Sequence, residues 1–428
     1  MLADYDRLRL LWPDHLGLAR GKYLPKERAE RGTAHTINLF ALGFDRVIYP
    51  HEGAMYLEGL PDIDAEFDPD ELRPGWEERT AVAIPHLTRL GEPVRMAPRN
   101  VLIDAIDAWD KLGYTPMVGI ELEAFLFEPD GDDGWRPVST PGAFVYGTGM
   151  AVDPTGTVDE IMATARTVGF PLESVHSEFD NGQFEFTLTY TDALRASDDA
   201  FLFKVMAQEI AAKRGYLLTF MGKPINDRGG SCLHVNLSFN DAAGENALYD
   251  DSADDGLSDF CRSVMAGMLH HHVGMTALLC PTVNAYKRLQ PASLCGYWAN
   301  WGYDHRGVTI RVPPARHQGT RLEHRVGDGA TTPHQAVAAV LTAARLGLEN
   351  NYELSPVESL DSMENSSTDV VVPSSLKEAL DALEADDALV KAFSTEFVDG
   401  FVTVKRAEWS RYETHTTDWE INEYLPFL

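Results

Sequence analysis

Four glutamates carry the first chemical signal in this chain: Glu121 and Glu123 in GIELEAFLF, Glu178 and Glu185 in HSEFDNGQFEF. Side chains alternate faces along a strand, so Glu121 and Glu123 share a face with Phe125 and Phe127, and Ile120, Leu122, Ala124 and Leu126 take the other. Like charges so placed repel, and burying them uncompensated costs several kcal/mol or forces a proton on. Asn181-Gly182 between two strand-like runs predicts a hairpin with a two-residue turn. That register pairs Asp180 with Gln183, Phe179 with Phe184 and Glu178 with Glu185, which sets two like charges face to face. Four carboxylates on two strands form a cage for hard cations. Magnesium or manganese takes such oxygen ligands and keeps positions open for phosphate oxygens.

Two later segments extend the pattern. In GGSCLHVNLSF, His234 lies in a strand just after a glycine-serine turn; in RVPPARHQGTRLEHRVGD, Glu323 stands between Arg321 and Arg325, with Arg311 and Arg316 upstream. Arginines gathered between Arg288 and Arg325 in an acidic chain predict an anion site, because guanidinium forks match carboxylate and phosphate geometry. Clustered carboxylates, a histidine and converging arginines describe metal-assisted phosphoryl transfer. The sequence has no G-x-x-x-x-G-K-[ST] loop, so a nucleotide here is not held by a P-loop.

The elements that must position these residues come from periodicity. Residues 5 to 98 hold short strand-like runs broken by Gly, Pro and Asp, which predicts a small β-rich domain with a boundary near GEPVRMAPRN. Asn100 is the expected cap of a helix carrying Val101, Leu102, Ala105, Ile106 and Trp109, ending at Gly113. Beyond it, strands and helices alternate: the Glu121 strand, a helix over 157–168, the hairpin, a long helix over 192–214, strands at LLTFMGKP and LHVNLSF, a helix near 256–279 and helices after 333. Ser375 and Glu378 form a capping box.

Composition bounds the function. At 428 residues the chain predicts two domains of unequal size, and 44% hydrophobic with 10% aromatic content supplies a core. A formal net charge of -30 repels phosphate backbones and anionic membranes, so no nucleic acid or membrane partner is expected. No apolar run is long enough to span a bilayer, the opening residues do not read as a secretory leader, and a cytoplasmic location is expected. Cys232, Cys261, Cys280 and Cys295 stand far apart without a C-x-x-C pair, against zinc and against a disulfide framework.

With these elements in this order, the chain resembles the glutamine synthetase superfamily from about residue 5 to its end. GIELEAFLF and HSEFDNGQFEF resemble that family's metal strands, GGSCLHVNLSF its nucleotide strand, NAYKRLQP, HRGVTIRVP and RLEHRVGD its arginine segments, and TDWEINEYL its C-terminal helix. The resemblance implies an α+β fold: a β-grasp N-terminal domain over 1–98 and a larger α/β catalytic domain over 99–428. It implies homo-oligomeric rings, hexameric or dodecameric, with active sites shared between subunits. ATP and magnesium or manganese are the implied cofactors, and glutamate with ammonia or an amine the small-molecule substrates. Glu123, Glu178 and Glu185 resemble the ligands of one cation; Glu121, His234 and Glu323 resemble those of a second, which bridges ATP phosphates. Arg288 and Arg325 match positions that grip glutamate and the transferring phosphoryl group, and Arg306 and Arg311 match arginines facing ATP. Asn236 and Ser238 fall where the family contacts adenine, and Glu173 where it reaches the ribose.

The departures bear on substrate. Ungapped spacing from Arg288 to Arg306 sets the family's flap glutamate, which helps deprotonate ammonium, on Leu294. Its ammonium-binding aspartate loop has Asp45 as a remnant, Gly229 replaces an asparagine that holds the glutamate backbone, and Cys232 replaces a glycine. An apolar flap suits an amine bearing a carbon substituent and suits a polyamine poorly. The expected activity is an ATP-dependent γ-glutamyl-amine ligase, with Asp45, His51 and Glu52 as candidates for the base. The alternatives are a true glutamine synthetase and a non-catalytic ring-forming relative.

Overall fold

The computed structural model describes residues 4–29, 31–131, 134–140 and 142–428. Near the N-terminus, strand Arg7–Pro13 pairs antiparallel with Ala19–Pro25 and parallel with Thr80–Ala83, which also pairs with Arg73–Pro74. A second small sheet runs in the order Thr33–Thr36, Asp62–Glu66, His86–Arg89, Glu92–Pro93. The rest is mixed helix and sheet, so the expected α+β class holds.

The large sheet is organised around the strand Thr115–Asp130. On one side it pairs antiparallel with Gln183–Asp192, and that strand with Leu172–Ser177. On the other it pairs with Leu233–Asn240, followed by Leu322–His324, Ile310–Val312 and Trp301–Tyr303. Register then does the positioning. Glu123 sits opposite Glu185, Glu121 opposite His234, and Glu323 opposite both Asn236 and Arg311. Side chains from neighbouring strands thus form one row across the sheet. The opposite face of the central strand buries Ile120, Leu122, Ala124 and Leu126 to 1% exposure or less.

Helices cover that apolar face. Pro98–Asp110, Ala193–Lys213 and Pro333–Asn350 pack on one another, and the last also packs on Asp259–His270. Trp109 is fully buried against Phe239, and its indole N–H donates to Leu341 O at 3.0 Å. An ionic hub joins three of these helices. Asp198 accepts from Arg99 Nε at 3.0 Å, Arg99 Nη2 at 3.0 Å and His334 Nε2 at 2.7 Å, while neighbouring Asp199 pairs with Arg73 of the first small sheet. Burial acts to raise the Asp198 carboxyl, but the His334 and Arg99 bonds outweigh it and hold the group well below the usual carboxylate range.

Three local expectations need correction. The helix expected from Asn100 begins at Pro98 behind Ala97, and Asn100 lies inside it, its amide bound to Leu87 O and Val94 O. Proline at the first helical position needs no N–H partner, which frees Asn100 to tie the helix to the small sheet. The helix expected near 256–279 is broken at His271 into Asp259–His270 and His272–Leu279. The hairpin closes through a longer loop: Glu185 faces His176, and Glu178 N–H bonds to Gln183 O. The turn at Asn181 and Gly182 does form, with Gln183 N–H on Asp180 O. The Asp180 carboxylate, however, is taken by Gly229 N–H and Arg228, which pulls the loop out of the two-residue register.

Removing one partner of a buried pair leaves the other charge uncompensated. Asp198→Ala should therefore destabilise the chain by about 3 to 5 kcal/mol. Chemical denaturation checks this, and a change below about 1 kcal/mol would show that the hub carries little stability.

Candidate functional site

The row across the sheet ends in a cluster of carboxylates with one histidine. Glu121 Oε2 lies 3.1 Å from His234 Nδ1, and its other oxygen accepts from Asn236 at 2.9 Å. Glu123 Oε2 accepts the Cys232 N–H at 2.9 Å. Glu178 Oε1 lies 3.2 Å from His176 Nε2, which also faces Glu185 Oε1 at 3.7 Å. Potential ligand atoms of Glu121, Glu185 and His234 lie within 4.8 Å of one another, as do those of His176, Glu178 and Glu185, and those of Glu123, Cys232 and His234.

The electrostatics show which charges are compensated. Burial acts to raise Glu121, yet the His234 and Asn236 bonds and the Arg325 charge hold it at about 2. Burial pushes Glu185 up to about 9, aided by repulsion from Glu121, Glu123, Glu178 and Glu323. Glu178 is likewise raised by burial and by Glu123. Buried His234 Nε2 has no hydrogen-bond partner among the described residues. An uncompensated carboxylate beside an unpartnered imidazole nitrogen is a donor set that fits a divalent cation.

Arginines neutralise the far end. Glu323 pairs with both Arg325 and Arg311, the latter at 2.6 Å, and its Oε1 lies 3.6 Å from His234 Nδ1. Burial opposes ionisation of Glu323, but Arg325 and His234 outweigh it and lower the group. A second cation on Glu121, His234 and Glu323 would therefore compete with these arginines. Arg311 is anchored in turn by Asp304. Arg306 is exposed in the turn after Asp304, whose carboxylate feels its charge. Arg288 is 3% exposed and meets the cluster through Cys232 Sγ, its other bonds going to Val326 O, Gly327 O and Asp328.

Next to the row lies a cavity of about 550 Å³ lined by Glu121, Glu173, Asn236, Ser238, Thr320 and Arg321, among others. Glu173, Asn236 and Ser238 thus share one cavity with a carboxylate of the cluster. Glu173 reaches it from a β-bulge between Leu172 and Ser174. Asp45, His51 and Glu52 do not join the cluster among the described contacts. Asp45 pairs with Arg411 at 3.0 Å, His51 packs against Gly400, and Glu52 lies near Glu396.

Leu294 sits in a loop whose backbone is unusual. Ala292 and Leu294 both adopt left-handed conformations, at φ 60° and 56°. Such geometry disfavours a residue with a Cβ and persists where surrounding contacts over-determine it. Ala292 N–H bonds Met363 O at 2.8 Å, and Leu294 O accepts from Arg325 Nη2 at 3.2 Å.

Sequence reasoning missed His176 and Asp304. His176 was within reach, since it alternates with Glu178 on one strand face. Asp304 gives no sequence signal, because its partner Arg311 stands on another strand.

The profile of the glutamine synthetase catalytic domain matches residues 95–424. The chain belongs to the glutamine synthetase family. Within it, the chain is 30% identical to the glutamine synthetase of Halobacterium salinarum, over 98% of this chain and 93% of that one. It is 31% identical to a glutamate–isopropylamine ligase of Pseudomonas sp., covering 99% and 96%. It is 32% identical to the gamma-glutamylethanolamide synthetase of Streptomyces coelicolor, covering 98% and 92%. A solved structure of ligand-free GmaS superposes with a TM-score of 0.86 at 28% identity, covering 98% and 97%. Glutamine synthetase family members are ligases, and the chain is an enzyme of that class; the family implies use of ATP and a divalent metal. Among the described residues no helix is long and apolar enough to cross a membrane.

If the cluster holds a cation in the folded state only, magnesium must raise the unfolding midpoint. Glu185→Gln should abolish most of that rise while leaving the metal-free midpoint close to wild type at neutral pH, since burial and its neighbours already hold the Glu185 carboxyl protonated and uncharged there. An undiminished magnesium response in thermal unfolding would exclude Glu185 from the site.

Proposed function

We propose that the chain is an ATP-dependent ligase joining the γ-carboxylate of glutamate to a small substituted amine. ATP phosphorylates the carboxylate, the amine attacks the resulting acyl phosphate, and phosphate leaves with formation of the amide. The observation that carries this reading is Leu294, whose carbonyl meets Arg325 at the position where the family's flap carries an ammonium-handling glutamate. A leucine side chain neither takes a proton nor holds a cation, and it favours a carbon substituent through apolar contact. Two relatives, one named for isopropylamine and one for gamma-glutamylethanolamide, support it.

In this reading Glu123, Glu178 and Glu185 hold one magnesium or manganese ion and Glu121, His234 and Glu323 a second. When bound, these cations supply charge neutralisation for the phosphates and the attacked carboxylate. Arg325 faces the transferring phosphoryl group, and Arg306 and Arg311 face the nucleotide phosphates. Glu173, Asn236 and Ser238 line the cavity for adenine and ribose. Arg288 orients the acid substrate once its guanidinium turns from its internal acceptors. Exposed apolar residues on the C-terminal helix and beyond it, Trp419, Ile421, Leu425 and Phe427, support assembly into hexameric rings or a dodecamer.

The second reading, a true glutamine synthetase, is favoured by the full-length similarity to the Halobacterium salinarum enzyme. The two readings separate in phosphate release from ATP with magnesium and glutamate. Isopropylamine or ethanolamine should support turnover well above ammonium, and putrescine should not; dominant turnover with ammonium would favour the second reading. Leu294→Glu should shift the ratio of ammonium to isopropylamine turnover upward by about tenfold or more, the scale of one interaction with a charged group. An unchanged ratio would remove Leu294 from substrate choice. Glu123→Ala should abolish phosphate release in a chain that stays folded by circular dichroism, and retained turnover would count against the two-metal arrangement.

A further inference from the structure

Gln183 opens the strand that carries Glu185, and alternation sets the two side chains on the same face. The residue is 3% exposed. Its amide nitrogen donates to Gly230 O at 3.0 Å. A carbonyl oxygen only accepts, so this bond fixes the amide orientation and turns Oε1 away from Gly230. Oε1 has no hydrogen-bond partner among the described residues. A buried acceptor left in this state costs stability, and its retention calls for a donor from elsewhere.

The surroundings say what kind of donor. A Cβ on Gly229 would lie 3.3 Å from Gln183 Oε1 and 2.8 Å from Asp180 Oδ2, so glycine keeps both acceptors uncovered. The Asp180 carboxylate is held in place by Gly229 N–H and Arg228 Nη1. Along the same turn, Gly230 packs on the Arg288 stem, and Cys232 links Arg288 to Glu123 through its Sγ and its N–H. The open acceptor therefore lies at the acid-substrate end of the carboxylate row. One acceptor without a donor, with an anion beside it whose own donors are Gly229 N–H and Arg228, suits a primary ammonium group.

We propose that Gln183 Oε1 accepts a hydrogen bond from the α-ammonium of the acid substrate, with Asp180 beside it, which makes Gln183 a specificity-determining residue. The proposal rests on glutamate being that acid. Glutarate has the same two carboxylates and lacks the amino group, so the pair isolates the contact. Calorimetric titration of the full chain, loaded with magnesium and a non-hydrolysable ATP analogue, should show wild type preferring glutamate over glutarate by about tenfold or more, as one charge-assisted bond supplies. Gln183→Met should lose that preference, with glutarate affinity held within about twofold, the scatter expected of uncoupled sites. Gly229→Ala, which drives a methyl group against Oε1, should do the same, and unchanged binding of the ATP analogue verifies folding of both variants. Equal weakening toward both acids, or a preserved preference, overturns the proposal while leaving glutamate as the substrate. Absence of glutamate binding to the wild type overturns the acid assignment and the proposal with it.

Discussion

Mutual repulsion among buried carboxylates is the constraint that the rest of this site answers. Glu121, Glu123, Glu178, Glu185 and Glu323 converge on one face of a sheet, where a low dielectric strengthens every uncompensated charge. His234 and Asn236 attend Glu121, a backbone N–H attends Glu123, His176 attends Glu178, and two arginines attend Glu323. Glu185 is left over, and its carboxyl is driven up to about 9. The protein has thus compensated Glu121 and Glu323 from its own side chains, while Glu178 and above all Glu185 stay raised. The remainder defines where positive charge from outside is stabilised most.

Holding such a set together demands a rigid support, which the sheet provides. Opposed residues on neighbouring strands are fixed to within a few ångströms by the hydrogen-bond ladder. The helices behind it are fixed by apolar packing around Trp109 and by the Asp198 hub. The polar row is therefore carried by a scaffold whose stability comes from the other side of the same strands.

Much of this was legible in the sequence, because it depends on local periodicity. Alternation along GIELEAFLF gave both the apolar face and the shared face of Glu121 and Glu123, and the helix expected over 157–168 is Thr157–Val168. What the sequence did not show is set by contacts distant along the chain. The hairpin register depends on Asp180 meeting Gly229 and Arg228, and the helix start depends on Asn100 finding carbonyls in the small sheet. The inward fold of Arg288 onto Val326, Gly327 and Asp328 is likewise invisible until the turn that supplies those acceptors is in place. Asp304 differs, lying only seven residues before Arg311, and what hides that pair is the turn that brings them together.

The contact between residue 294 and Arg325 is made by the main-chain carbonyl, and the leucine side chain takes no part in it. Two duties are thereby divided between two halves of one residue. The backbone steadies Arg325 through an atom every residue has, and the side chain is left to other contacts. If the proposed amine site lies here, a substitution at this point would change what the side chain meets while leaving the main-chain bond to Arg325 in place. On the proposed reading, the loop would let the choice of amine change by single replacements that leave this arginine's support intact.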